Sequence, residues 1–129
     1  MQHDRDIYIF VQGQPTPINE IPSSGSFKYI GKAILSVPDK TENKQIYSIH
    51  PATFDVNFSD KRLVGSIGGS ENGGNITFNA DIEKNKIESG IGFDNVRVDG
   101  YFYGPNAAEL GGTYIKPGSY SGTFGAKRQ

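Results

Sequence analysis

Apolar residues in this chain recur at every second position, and no segment sustains a period of 3.6. Phe54, Val56 and Phe58 alternate with Asp55, Asn57 and Ser59, and Ile76, Phe78, Ala80 and Ile82 alternate with Thr77, Asn79 and Asp81. Val96, Val98, Gly100 and Phe102 do the same against Arg97, Asp99, Tyr101 and Tyr103. A period of two sends alternate side chains to opposite faces, so each run reads as a half-buried strand. A chain built from such strands alone is all-β and must deal with its unpaired edges. A single antiparallel up-and-down β-barrel of about eight strands, with an N-terminal leader strand, meets both demands. A two-sheet sandwich has the same periodicity and is the structural alternative.

Punctuation between the runs supports short antiparallel connections. Ile7 to Val11 is an apolar run that reads as a leader strand, and Gln12 to Gly25, with Pro15, Pro17 and Pro22, is a connecting loop. Residues 1–25 are therefore leader and loop, and 26–129 the barrel domain. Ser26 to Val37 has apolar residues on both parities and reads as a long, bent strand. Pro38 to Gln45 reads as a polar loop, Asp60-Lys61 and Lys84-Asn85 as tight turns, and Gly68 to Asn75 as a glycine-rich loop. Ile87 to Phe93 reads as a strand. At Gly104-Pro105 the strand ending in Tyr103 must stop. Asn106 is placed to cap one helical turn through Ala107-Ala108-Glu109, anchored by Leu110, and Gly111-Gly112 to bend the backbone before Thr113-Tyr114-Ile115 resumes. Tyr120 to Ala126 is the last strand, with Lys127-Arg128-Gln129 trailing into solvent. The interior should hold Phe54, Phe58, Phe78, Ile82, Ile91, Phe93 and Phe102, while Tyr101, Tyr103, Tyr114 and Tyr120 cover the wall with wet hydroxyls.

Chemistry is excluded more readily than it is assigned. The 129 residues carry a net charge of −1, so no electrostatic footprint for nucleic acid or an anionic membrane exists. No run is long and apolar enough for a membrane helix. Cysteine is absent and the two histidines are His3 and His50, which rules out disulfides, thiolate chemistry and a histidine-based zinc site. Ser66 and Ser70 lack the spacing of a nucleophile elbow, and Gly68 to Gly74 lacks the Lys-Ser/Thr and the helix of a phosphate cradle. His50, before Pro51, reads as a solvated loop residue. The residues thus specify no enzyme, metal or cofactor.

Three clusters carry a family resemblance. Gly100-Tyr101-Phe102-Tyr103-Gly104-Pro105, then Ala108-Glu109-Leu110-Gly111-Gly112, then Phe124-Gly125-Ala126-Lys127-Arg128 together resemble the barrel signature of the transferrin-binding protein B family. Gln12 to Thr16 with Ile21-Pro22, Tyr29-Ile30-Gly31, Phe54 to Gly65 and Ile76 to Ile82 match in the same order, so the resemblance spans about Phe10 to Arg128. The leader is more similar to the family's C-lobe than to its N-lobe. The resemblance implies a monomeric, non-enzymatic barrel domain of a bacterial outer-membrane surface lipoprotein, lipid-anchored in the parent protein and serving host iron acquisition. This chain has no anchor cysteine and no signal peptide, so it reads as an excised or compact form. Host transferrin is the partner implied for the full-length receptor, with weak or absent binding by this fragment. A hemophore-like heme-binding barrel, or a scaffold or antigen fragment without its own ligand, is the alternative.

An up-and-down barrel sends successive connections to opposite ends. Pro38 to Gln45, Gly68 to Asn75 and Lys116-Pro117-Gly118 fall at one end, and the tight turns with the Gly104 to Glu109 corner at the other. Loops on a rigid scaffold are the usual place for recognition. Lys40, Glu42, Lys44, Glu71, Asn72 and Lys116 are accordingly the candidate partner-binding residues.

Overall fold

Alternation becomes a barrel because every strand finds a partner on each side. The computed structural model describes residues 14–39, 41–68, 76–89 and 96–129. In order the strands are β1 (Ser26–Asp39), β2 (Lys44–Asn57), β3 (Arg62–Ile67), β4 (Ile76–Glu83), β5 (Lys86–Ser89), β6 (Arg97–Tyr103), β7 (Glu109–Lys116) and β8 (Tyr120–Arg128). Each pairs antiparallel with the next, and β8 returns to β1, closing the barrel. The sandwich is thereby excluded. The leader run Ile7 to Val11, and Ile91 and Phe93, lie outside the described residues.

The inward set is the one that the alternation marks. Phe54, Phe58, Phe78, Ile82 and Phe102 are buried, together with Tyr29, Leu63, Ile87, Leu110 and Phe124. Their rings pack in two groups, one around Phe58 and Phe102 and one around Phe54, Phe78 and Phe124. Phe58 and Phe102 lie 5.3 Å apart, Phe54 and Phe124 5.0 Å, and Phe78 stands 5.8 Å from Phe124 and 6.0 Å from Tyr114. A barrel of this strand number has room for its own side chains and little else. No buried side-chain nitrogen or oxygen among the described residues lacks a partner.

Several expectations fail, each for a tertiary reason. Pro38 to Gln45 is no loop: β1 and β2 stay paired to Asp39↔Lys44, and the Asp39 carboxylate closes the turn by accepting the Thr41 and Glu42 amides at 3.0 and 3.3 Å. Pro38 is tolerated because pairing of β1 with β8 ends at Ser36↔Ser121, where no amide is needed. β2 correspondingly begins ten residues before Phe54, and His50 is a strand residue within it. The expected helical turn is a 3₁₀ turn, Pro105–Ala107, with Asn106 inside it at φ 54°, ψ 36° and no side-chain cap. Gly111-Gly112 makes no bulge, since β7 pairs with β6 and β8 without a break in register. These glycines instead permit close approach: a Cβ on Gly112 would lie 2.2 Å from the Asp99 carbonyl oxygen. The carboxy-terminal residues do not trail away. β8 runs to Arg128, whose amide donates to the Ala108 carbonyl at 2.9 Å, and whose guanidinium lies 5.2 Å from the centroid of the Phe27 ring. Tyr114, expected on the wall, is a core residue.

Candidate functional site

The ends of the barrel divide as the up-and-down order requires. At one rim β1, β3, β5 and β7 end and β2, β4, β6 and β8 begin, and the other rim carries 58–61, 84–85 and the 104–108 corner. Of the candidate residues, Glu42 is exposed between β1 and β2 and Lys44 is the exposed first residue of β2, opposite Asp39. Lys116 ends β7, half-buried, and its carbonyl accepts the Ser119 amide at 2.9 Å to close the last turn. That turn meets the first hairpin: Lys116, Gly118 and Ser119 line a depression of about 170 Å³ with Pro38 and Gln45. Lys40, Glu71 and Asn72 lie outside the described residues. Glu42, Lys44 and Lys116 therefore share a rim, and of these only Lys116 lines that depression.

Chemistry at this rim is sparse. His50 Nε2 lies 2.8 Å from Ser48 Oγ on the same strand. Among the described residues no group of His, Asp and Glu is placed to hold a metal ion. The shifted groups are tyrosines. Burial pushes Tyr29 up to about 12, against the opposing pull of Arg128, and burial with the neighbouring Tyr120 raises Tyr114 further. Tyr103 is raised by burial and by Tyr101. Neutral, hydrogen-bonded phenols of this kind hold structure together. The Tyr114 hydroxyl donates to the Ile34 carbonyl at 2.9 Å.

The two barrel walls differ sharply. From β1 to β5 the outer face carries ion pairs: Lys28–Asp55 at 3.5 Å between β1 and β2, Arg62–Asp81 at 3.3 Å between β3 and β4, and Lys86–Glu88 at 3.9 Å within β5. Across β2, β1, β8 and β7, near the long-connection rim, there is instead an uncharged groove of about 800 Å³. Its walls include Ile34, Tyr47, Ile49 and Ile115, with Ser121 and Thr123 between them. Tyr47 and Ile49 are 67% and 61% exposed, high for residues of this type. This half of β2 falls outside the runs of alternating residues. The available signal was a β-prone, uncharged run from Gln45 to His50.

Relatives of the chain point one way. Residues 21–128 match the family model for the C-lobe and N-lobe β-barrels of transferrin-binding protein B. The chain belongs to this family. A transferrin-binding protein B of Haemophilus influenzae is 32% identical over 85% of the chain, and one from Neisseria meningitidis serogroup B is 31% identical over 94%. The solved vaccine antigen transferrin-binding protein B of Haemophilus parasuis superposes on 91% of the chain with a TM-score of 0.69 and 32% identity. The chain spans only 21% and 23% of the two curated relatives, and 29% of the solved one. The match is to the family's β-barrel domain.

Proposed function

We propose that this chain is a non-enzymatic barrel module of a transferrin-binding protein B-like surface lipoprotein, displayed on the bacterial outer membrane and serving host iron acquisition. The observation that carries this reading is a side-chain-filled barrel in a chain matching the family's barrel model over residues 21–128. With the interior occupied by its own aromatics, recognition falls to the rims and the outer wall, as in other scaffolded binding loops. Host transferrin is the partner of the full-length receptor. Lys40, Glu42, Lys44, Glu71, Asn72 and Lys116 are the residues of this module that face it. The module itself is monomeric, binds no cofactor and contributes a minor part of the contact. A specific interface buries upward of about 1,000 Å², more than one small rim supplies.

The test compares immobilised iron-loaded and iron-free transferrin from several mammalian hosts. The isolated chain should bind both weakly or undetectably. Submicromolar binding with preference for the iron-loaded form would overturn the minor role. Lys44→Ala and Lys116→Ala would then show whether the rim carries the contact.

A further inference from the structure

The segment entering β1 and the end of β8 meet at one corner, 104–108. Thr16 is fully buried: its amide donates to the Phe102 carbonyl at 2.8 Å, its hydroxyl to the Gly104 carbonyl at 2.6 Å, and its carbonyl accepts Asn85 Nδ2 at 2.9 Å. Beside it the Gly104 amide donates to the Gln14 carbonyl at 3.2 Å, and Pro15 bridges to Tyr103. From the other side Arg128 donates its amide to the Ala108 carbonyl at 2.9 Å and its Nη1 to the Asn106 carbonyl at 2.8 Å. Asn106 serves both partners, because its amide donates to Glu20 Oε1 at 3.2 Å. Among the described residues no hydrogen bond joins Thr16 to Arg128.

We propose that this corner is a two-sided clamp. It holds the entering strap, residues 14–21, and the leaving end of β8 as one unit, and so fixes the directions in which the chain enters and leaves the barrel. The strap itself is stiff: Pro15 and Pro17 lie within it and Pro22 follows, each with φ locked by its ring. Coupling follows from the corner's backbone. Asn106 and Ala107 stand in the left-handed region in succession, a conformation that persists only while its surroundings over-determine it. Loss of the bonds on one side therefore loosens the groups that hold the other.

Both sides of the clamp lie at the rim of tight turns, where β6 and β8 end. Glu42, Lys44 and Lys116 stand at the opposite rim. On the reading of the chain as a barrel module of a longer receptor, on which this consequence rests, the adjoining segments attach at the corner and leave the opposite rim clear for a partner. A plug over the barrel end, the plainer account of buried Thr16 and of Ile21 packed against the core, makes a different prediction. It stabilises the barrel as a whole and leaves Thr16 and Arg128 independent.

The test is amide hydrogen exchange of the full chain, read by NMR in the wild type, Thr16→Val and Arg128→Gln. Thr16→Val keeps the side-chain shape and removes the bond to the Gly104 carbonyl, and Arg128→Gln removes the bond to the Asn106 carbonyl while keeping the amide. In the wild type the Thr16, Gly104 and Arg128 amides should exchange slowly. Thr16→Val should speed exchange at Arg128, and Arg128→Gln at Thr16 and Gly104, by about tenfold or more, as opening of one local unit requires. The reference is Ile82, whose amide donates to the Lys61 carbonyl elsewhere on this rim, and it should change less than about twofold. A fast Thr16 amide in the wild type overturns the proposal, as do effects confined to the substituted side. Equal acceleration at Ile82 would show a plug acting on global stability, and overturns the clamp as well. Fixed direction has its own measurement, since the chain has no cysteine and takes spin labels cleanly at Gln14→Cys with Gln129→Cys. Their dipolar distance should be single and narrow, and should broaden in Thr16→Val; a broad wild-type distribution overturns the fixed directions. None of these readouts involves transferrin, so they stand or fall apart from the receptor reading.

Discussion

The Tyr29 hydroxyl on β1 donates to the carbonyl of Ala107, 78 residues away, at 2.5 Å inside the core. Ala107 has φ 60° and follows Asn106 at φ 54°, so two residues with side chains occupy the left-handed region in succession. Such a pair is unfavourable on its own. Tertiary bonds hold it: Tyr29 to Ala107, the Arg128 amide to Ala108, Arg128 Nη1 to the Asn106 carbonyl at 2.8 Å, and the Asn106 amide to Glu20 Oε1 at 3.2 Å. The corner thus ties β1, β8 and the Ile18–Glu20 3₁₀ turn together at one rim.

Tyr29→Phe keeps the ring beside Phe102 but leaves the buried Ala107 carbonyl without its donor. A loss of about 1–3 kcal/mol is expected in a urea titration, the usual penalty for an unsatisfied buried acceptor. A change below about 0.5 kcal/mol would mean that the corner holds without this bond.

Alkaline pH should destabilise the barrel through the same hydroxyl. Burial raises Tyr29 from 10.0 to about 12, so the folded state favours the neutral phenol. The resulting stability is fully present below pH 10 and is lost as pH rises towards about 12. Denaturant midpoints measured at pH 8, 10 and 11.5 should fall only over the last interval, and less in Tyr29→Phe. A flat profile would contradict the assignment.

Phe78 and Gly65 are coupled. A Cβ on Gly65 would stand 2.6 Å from Phe78 Cε1, so Gly65→Ala forces the ring aside. Phe78→Ala should lose roughly 3–5 kcal/mol and Gly65→Ala about 1–3 kcal/mol. In a Phe78→Leu background the Gly65→Ala penalty should shrink, giving a non-additive double-mutant cycle. Additive effects would show that the ring does not fill that space.

Two hairpin turns share one construction but end in different residues. Asp39 accepts the Thr41 and Glu42 amides and its turn ends in Asn43 at φ 56°; Asn57 accepts the Asp60 amide at 3.0 Å and its turn ends in Lys61 at φ 58°. Asparagine suits that conformation and lysine does not. Lys61→Gly should raise stability by about 0.5–1 kcal/mol, and Lys61→Val should lower it. Thermal melts of the pair, at matched protein concentration, test the sign.

Strand class, order and the inward set of residues were legible in the sequence. Alternation states which side chains share a face whatever the strand pairs with, and short connections make neighbours antiparallel. Hence Phe54, Phe78 and Phe102 could be placed inside from their spacing alone. Glu42, Lys44 and Lys116 could be sorted to one rim by the same order, since each strand reverses direction. The family, too, could be read from the Gly100 to Gly112 and Phe124 to Arg128 motifs.

Contacts between distant residues decided the rest. Tyr114 resembles its wall-facing neighbours in sequence, yet it lies inside because Gly122 leaves room for its ring and Ile34 supplies an acceptor. The left-handed corner at Asn106 and Ala107 exists because Tyr29 and Arg128 bind its carbonyls. From Gln45 to His50 no inside face remains to write an alternation, so that strand shows only in its pairing with β1. The groove beside it brings together residues of β2, β1, β8 and β7, strands far apart in the chain, through the register of their pairing. Register across a barrel is set by hydrogen bonds perpendicular to the chain, which leave no period along it.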